Sequence, residues 1–287
     1  LVTSFKGNFV TFMKINVCYA TYPMAFHTKG GGELQIEAYE NCLKDNQNIS
    51  LNRFDPWNPN FNNFDIFHYF STISGSYHLC NFAKNVGCKV YISTSLWINQ
   101  LNKNILPLDE IKTQLLTADK IITNSNYETK NLLNYFDIDE KLFTCIYNGF
   151  DSIFLNETSK FNFEKEYDIN RPYILNIGNI EPRKNQLLLA EACKNIDKNL
   201  IIIGGIRDLP YAEKLIKFNN VKIIPFIKSK EMLLSAMKGC DVFCLPSTLE
   251  TPGLAALEAA AAGCVIAITE EGATKEYFLD FVEYINP

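Results

Sequence analysis

Leu175-Asn176-Ile177-Gly178-Asn179-Ile180-Glu181-Pro182-Arg183-Lys184-Asn185-Gln186 reads as one unit of an alternating fold. An apolar strand ends at Gly178, a short turn follows, and two adjacent cations stand at the start of the next helix. The same rhythm runs outward in both directions. In this half of the chain, strands are expected over 173–177, 200–203, 221–224, 241–245 and 265–268, with helices opening at Asn185, Leu209, Lys230 and Pro252. Upstream, strands over 15–20, 66–70, 89–93, 120–123 and 143–147 alternate with helices over 33–44, 76–86, 108–116 and 126–136. Strands interleaved with helix-length runs are the mark of parallel sheets with crossover helices, an α/β class. The rhythm breaks over 151–170, read as a linker between two Rossmann-like doubly wound domains, 13–150 and 171–287. Ligands bind such sheets beyond the carboxyl ends of their strands, so an interdomain cleft is expected.

Bulk composition excludes several function classes. A net charge of -5 and a pI near 5.4 give no global field for nucleic acid, so any anion site must be local. Nine cysteines lack a CxxC pair, and only three histidines occur, which argues for buried reduced thiols in a cytoplasmic protein and against disulfides or a metal centre. No apolar run is long enough to span a bilayer, leaving peripheral association with the inner membrane face as the expected form of membrane contact. Residues 1–12 read as an extension ahead of a natural start at Met13. The stretch 52–64, rich in Asn, Pro and aromatics, reads as a variable loop in preference to an acceptor-recognition insert.

The strongest chemical signal is Leu245-Pro246-Ser247-Thr248-Leu249-Glu250-Thr251-Pro252-Gly253-Leu254-Ala255-Ala256-Leu257-Glu258, which continues through alanines to Gly263. Pro252 suits a first helical position with Thr251 as N-cap, aiming the Gly253 and Leu254 amides at an anion or a sugar hydroxyl. Glu258 lies on an Ala/Leu helix, where an unpaired carboxylate is costly to bury, so it must meet a cation, water or ligand hydroxyls. Arg183 and Lys184 read either as a solvated helix start or as ligands of a diphosphate. Cations at a helix start oppose the helix dipole, which favours the bound anion. Lys29-Gly30-Gly31-Gly32-Glu33 lets backbone approach a ligand at Gly31 and Gly32, though a flexible turn explains the glycines as well. His27 beside it reads as a solvent-exposed turn histidine.

These segments together resemble the retaining glycosyltransferases of family 4. The Glu250-to-Glu258 spacing is similar to the family's E-x7-E region, and residues 178–185 look like its G-x-x-E-P-R-K-N signature. Asp119 to Ser125 is similar to a strand ending in A-N-S, and Ile146 to Asp151 to I-x-N-G-x-D. The resemblance implies a GT-B architecture and transfer of a hexosyl-type sugar from a nucleotide diphosphate sugar to a surface glycan or glycolipid hydroxyl. It implies neither a metal nor another cofactor. In that scheme Glu250 orients the donor sugar, and Arg183 and Lys184 hold the leaving diphosphate. Glu258 binds ribose hydroxyls, Gly253 and Leu254 touch sugar or phosphate, and Phe226 and Ile227 flank the base. Two positions depart from the pattern. Asn179 stands at a donor-binding position where many relatives carry Arg, and Ser93 and Ser95 stand where many carry a strand-end histidine for the sugar.

Relatives usually continue past a segment like that at Pro287, so a C-terminal truncation is expected. Together with the two departures, it keeps open a degenerate, non-catalytic nucleotide-sugar or glycan-binding protein. A sugar-nucleotide 2-epimerase on the same plan is the other alternative.

Overall fold

A computed structural model describes residues 14–27, 29–73 and 75–287. The expected extension and start at residues 1–13 lie outside them. In the first half, β1 (Ile15–Thr21), α1 (Gly31–Leu43), β2 (Ile49–Arg53), β3 (Ile66–Phe70), α2 (Ser76–Asn85), β4 (Lys89–Ser93), α3 (Leu108–Thr117), β5 (Lys120–Thr123), α4 (Asn126–Tyr135) and β6 (Phe143–Cys145) follow in order. Their parallel sheet runs β2-β1-β3-β4-β5-β6. After α5 (Phe163–Tyr167), the second half holds β7 (Tyr173–Ile177), α6 (Gln186–Asn195), β8 (Asn199–Ile203), α7 (Leu209–Leu215), β9 (Val221–Ile224) and α8 (Lys230–Gly239). It continues through β10 (Val242–Leu245), α9 (Leu254–Ala261), β11 (Ile266–Thr269), α10 (Thr274–Phe278) and β12 (Glu283–Ile285). Its parallel sheet runs β12-β11-β10-β7-β8-β9.

Burial on both faces explains why the central strands are continuous apolar runs. On β8, Ile201 and Ile203 enter the core with Leu175 and Phe243, whereas Leu200 and Ile202 point the other way into a core with Leu189 and Ala190. The first domain packs Phe67, Val90, Ile92 and Ile121 of its strands against Ile111, Leu115 and Leu132 of its helices. The stretch 151–170 is more than a connector: Phe154, Phe163 and Ile169 are buried in the second domain's core.

Each sheet has one place where successive connections leave in opposite directions. In the second sheet the chain moves from β7 outward to β8 and β9, then returns to the far side of β7 as β10. In the first, β1 has β2 on one side and β3 on the other. The loops at such switch points splay apart and leave a crevice beyond the strand ends.

α10 ties the domains together. Its Glu276 carboxylate accepts the Asn126 and Tyr127 amides of α4 at 2.8 and 2.7 Å, capping a helix of the other domain. Tyr277 accepts the Asn148 amide at 2.9 Å and donates to the Asn124 carbonyl.

Candidate active site

The loops after β7 and β10 meet at the second sheet's switch point. The turn Pro182–Lys184 follows β7, and its Arg183 carbonyl accepts the Thr248 amide from the β10 loop at 2.9 Å. Glu250 is fixed from the opposite side by the loop after β11: its amide donates to the Glu271 carbonyl at 3.1 Å, and its carbonyl accepts from Ala273 at 3.0 Å. That bridge needs Gly272. Its φ is +101°, and a Cβ there would fall 2.2 Å from the Glu250 carbonyl oxygen.

So held, Glu250 Oε1 lies 2.5 Å from Lys184 Nζ and 3.7 Å from Arg183 Nη1. The Glu250 and Lys184 side chains are 7% and 12% exposed, so the pair is screened little by water. Burial opposes ionisation of Glu250, but the Lys184 and Arg183 charges outweigh it and hold the carboxyl below the usual glutamate range. Burial draws the Lys184 ammonium below the ordinary lysine value, against the attraction of Glu250. Arg183 is more exposed and donates to the Leu249 carbonyl at 2.9 Å. The result is one buried carboxylate, one buried ammonium and one half-exposed guanidinium at the mouth of a strand crevice. Such a set can hold an anion while fixing a neutral polar group beside it.

The expected start of the next helix needs correction. α9 begins at Leu254 with Gly253 as its N-cap at φ +90°, so Pro252 is not its first residue and Thr251 does not cap it. The Pro-at-N1 preference is a local rule, and a left-handed glycine immediately after Pro252 overrides it. Gly253 still packs on the site, since a Cβ there would lie 3.5 Å from Glu250 Oε2. Leu254 faces the first domain, and a Cβ on Gly31 would meet its Cδ1 at 3.3 Å.

Glu258 sits farther along α9 and is half-buried. Burial pushes its carboxyl up to about 7, with Lys230 pulling the other way and Asp151 adding to the rise. Lys230 itself pairs with Asp151 at 2.6 Å. Asn179 donates to the Lys29 carbonyl at 3.2 Å, so it links the second domain to the glycine-rich loop of the first. Beyond β9, Phe226 is exposed and Ile227 buried.

At the first sheet's switch point, a cavity of ≈ 200 Å³ is lined by Thr21, Tyr22, Gly32, Glu33, Ser93 and Ser95 among others. Thus Gly32, Ser93 and Ser95 do converge. Gly31 and Gly32 open α1, whose Glu33 accepts the Gly30 amide at 2.7 Å and the Tyr22 hydroxyl at 3.1 Å. His27 is exposed on a short turn, as its reading anticipated. Among the described residues no group of three or more His, Cys, Asp or Glu is placed to hold a metal ion. No helix among them is long and apolar enough to cross a membrane. All nine cysteines are free thiols.

Residues 158–285 match the family described as Glycosyl transferases group 1. The second half of this chain is thus similar to a group 1 glycosyl transferase domain. An uncharacterized glycosyltransferase of Methanocaldococcus jannaschii is 30% identical over 168 residues, which is 57% of this chain and 43% of that protein, so the match spans less than half the length of that curated relative. Anabaena HepE, solved in complex with UDP-glucose, superposes with a TM-score of 0.72 at 16% identity, over 95% of this chain and 86% of that one. Sucrose-phosphate synthase from Thermosynechococcus elongatus gives 0.74 at 14% identity, over 96% and 86%. These likenesses identify the architecture around the transferase domain as GT-B, two parallel doubly wound units.

Proposed function

We propose that this protein is a retaining glycosyltransferase that moves a hexosyl-type sugar from a nucleotide diphosphate sugar to a hydroxyl of a surface glycan or glycolipid. The observation that carries the reading is the Lys184–Glu250 pair, with Arg183 beside it, at the switch point of the transferase domain. Breaking the bond between sugar and diphosphate builds negative charge on the leaving oxygens. Cations fixed before the reaction stabilise that charge without reorganising. Arg183 offers a fork for two phosphate oxygens, and Lys184 a point charge shared between Glu250 and the nearer phosphate. Glu250, held ionised, accepts a donor-sugar hydroxyl and sets the sugar's orientation. Gly253 and Leu254 bring backbone amides to the same place, Glu258 takes ribose hydroxyls, and Phe226 and Ile227 flank the base.

The leaving phosphate takes the acceptor's proton on the face it departs from, which retains configuration with no covalent nucleophile. The leaving-group charge rests on side chains in this scheme, so neither a metal nor another cofactor is needed. The crystal complex of HepE with UDP-glucose supports a nucleotide sugar as partner. The reading places the enzyme in the cytoplasm, peripheral to the inner membrane face.

The test is incubation with labelled uridine and guanosine diphosphate sugars, with products followed by mass spectrometry. Sugar transfer or slow donor hydrolysis with release of nucleoside diphosphate is expected. Donor binding without any product would instead favour a non-catalytic binding protein, and an epimerised donor would favour an epimerase.

A further inference from the structure

Strand β3 carries a histidine whose surroundings are unusual for a core residue. His68 is 6% exposed, stacked on Phe70 with ring centroids 4.1 Å apart and met edge-on by Tyr39 at 5.6 Å. Its one polar contact given by the structure is Nε2 to Ser93 Oγ at 2.9 Å. Ser93 ends β4, opposite Phe70 in the ladder, and its side chain reaches the cavity at the first sheet's switch point. Burial draws the imidazole down to about 3, so the ring is neutral across the physiological range and holds Ser93 without placing charge at the cavity.

A serine hydroxyl alone rotates to suit whatever approaches it. Here one side of Oγ is committed to a ring that aromatic neighbours keep from turning. The neighbouring wall shows the same device: Ser95 Oγ accepts the Asn124 side-chain amide at 2.8 Å. Ser95 is thereby left with its proton to give. Two hydroxyls on one cavity wall, each already engaged on one side, restrict the direction from which a ligand hydroxyl can meet them.

We propose that His68 is a positioning residue that locks the Ser93 hydroxyl rotor, so that Ser93 recognises one hydroxyl of the sugar entering the first-domain cavity. The proposal rests on the glycosyltransferase reading for the identity of the ligand, while the His68–Ser93 link itself can be tested without turnover.

Two measurements decide it. Side-chain nitrogen NMR of the full chain should show the His68 Nε2 resonance shifting in Ser93→Ala, and an unchanged resonance would overturn the link. In steady-state kinetics, His68→Phe keeps the aromatic stack and removes the nitrogen. Either His68→Phe or Ser93→Ala should raise KM for the sugar substrate about three- to tenfold, the value of a neutral hydrogen bond, while the affinity for nucleoside diphosphate stays unchanged. The double variant should be no worse than either single one. If His68→Phe has its full effect in the Ser93→Ala background, its role is structural packing and the proposal fails. Loss of nucleoside diphosphate binding in the wild-type protein would instead sink the donor reading, leaving the nitrogen resonance to decide the His68–Ser93 link.

Discussion

The two switch points of this molecule are built from the same topology and filled with opposite chemistry. In the second domain the crevice holds a buried ammonium, a buried carboxylate and a guanidinium. In the first, hydroxyls of Thr21, Tyr22, Ser93 and Ser95 share the wall with apolar Ile36, Phe70 and Ile73, a neutral imidazole stands behind Ser93, and the carboxylate Glu33 is already engaged by Gly30 and Tyr22. Parallel sheets with split connections supply a crevice in each case, but the loop residues decide what it can hold. The charged crevice suits the anionic half of a ligand. The hydroxylic one suits a neutral, polyhydroxylated half.

The largest expected effect comes from breaking the charged side. Lys184→Ala removes a contact worth about 3 kcal/mol in the transition state, so kcat/KM should fall by roughly two orders of magnitude. It also breaks the buried pair and leaves Glu250 with only the half-exposed Arg183 at 3.7 Å, so stability on chemical denaturation should fall by up to about 3 kcal/mol. Adding Glu250→Gln should recover stability and leave turnover low, because the two penalties have separate origins. Stability and turnover recovering together would mean that the pair is purely structural.

Gly272→Ala should come next. Its Cβ has no room beside the Glu250 carbonyl and its φ is unfavourable for any other residue, so a fall in Tm of several degrees is expected together with a raised donor KM. A variant with wild-type Tm and KM would show that the Glu250–Gly272 bridge does not hold the site.

A smaller effect follows from pH. The Glu258 carboxyl, raised to about 7, has a folded-state value above its ordinary unfolded one. Its contribution to stability is therefore greatest at low pH and declines as pH rises from the ordinary glutamate value toward 7. Donor affinity should move oppositely, strengthening over the same rise as the carboxylate forms to take ribose hydroxyls. Titration calorimetry at several pH values should show this slope in the wild type and its absence in Glu258→Gln. The smallest effect expected is that of a chelator: transfer rates should be unchanged by EDTA, and loss of activity restored by a divalent cation would contradict charge stabilisation by Arg183 and Lys184 alone.

Much of this comparison is legible before any coordinates. Ile201 to Ile203 announce a buried parallel strand because both faces are covered, and Arg183, Lys184 and Glu250 declare themselves by charge placed directly after apolar strands. What the sequence conceals has physical reasons. β2, with the sequence Ile-Ser-Leu-Asn-Arg, is an edge strand with half-buried and exposed positions, so it lacks the apolar run of its neighbours. β12 spans only three residues, too short for any period. α9 starts two residues beyond Pro252 because that proline signals a helix locally, whereas Gly253 bends the chain first.

His68 gives no signal at all, for a histidine among aromatics on a strand has the composition of ordinary core. The Glu276 cap on α4 joins groups 150 residues apart, and only the folded arrangement reveals it.

Arg183 offers the most direct test of the charged crevice, since its half-exposed side chain can be removed without burying an unpaired charge. Calorimetric binding of nucleoside diphosphate and monophosphate to the wild type and to Arg183→Ala would isolate the distal phosphate. The account expects the wild type to prefer the diphosphate and the variant to lose most of that preference while binding monophosphate as before. An equal preference in both proteins would contradict it.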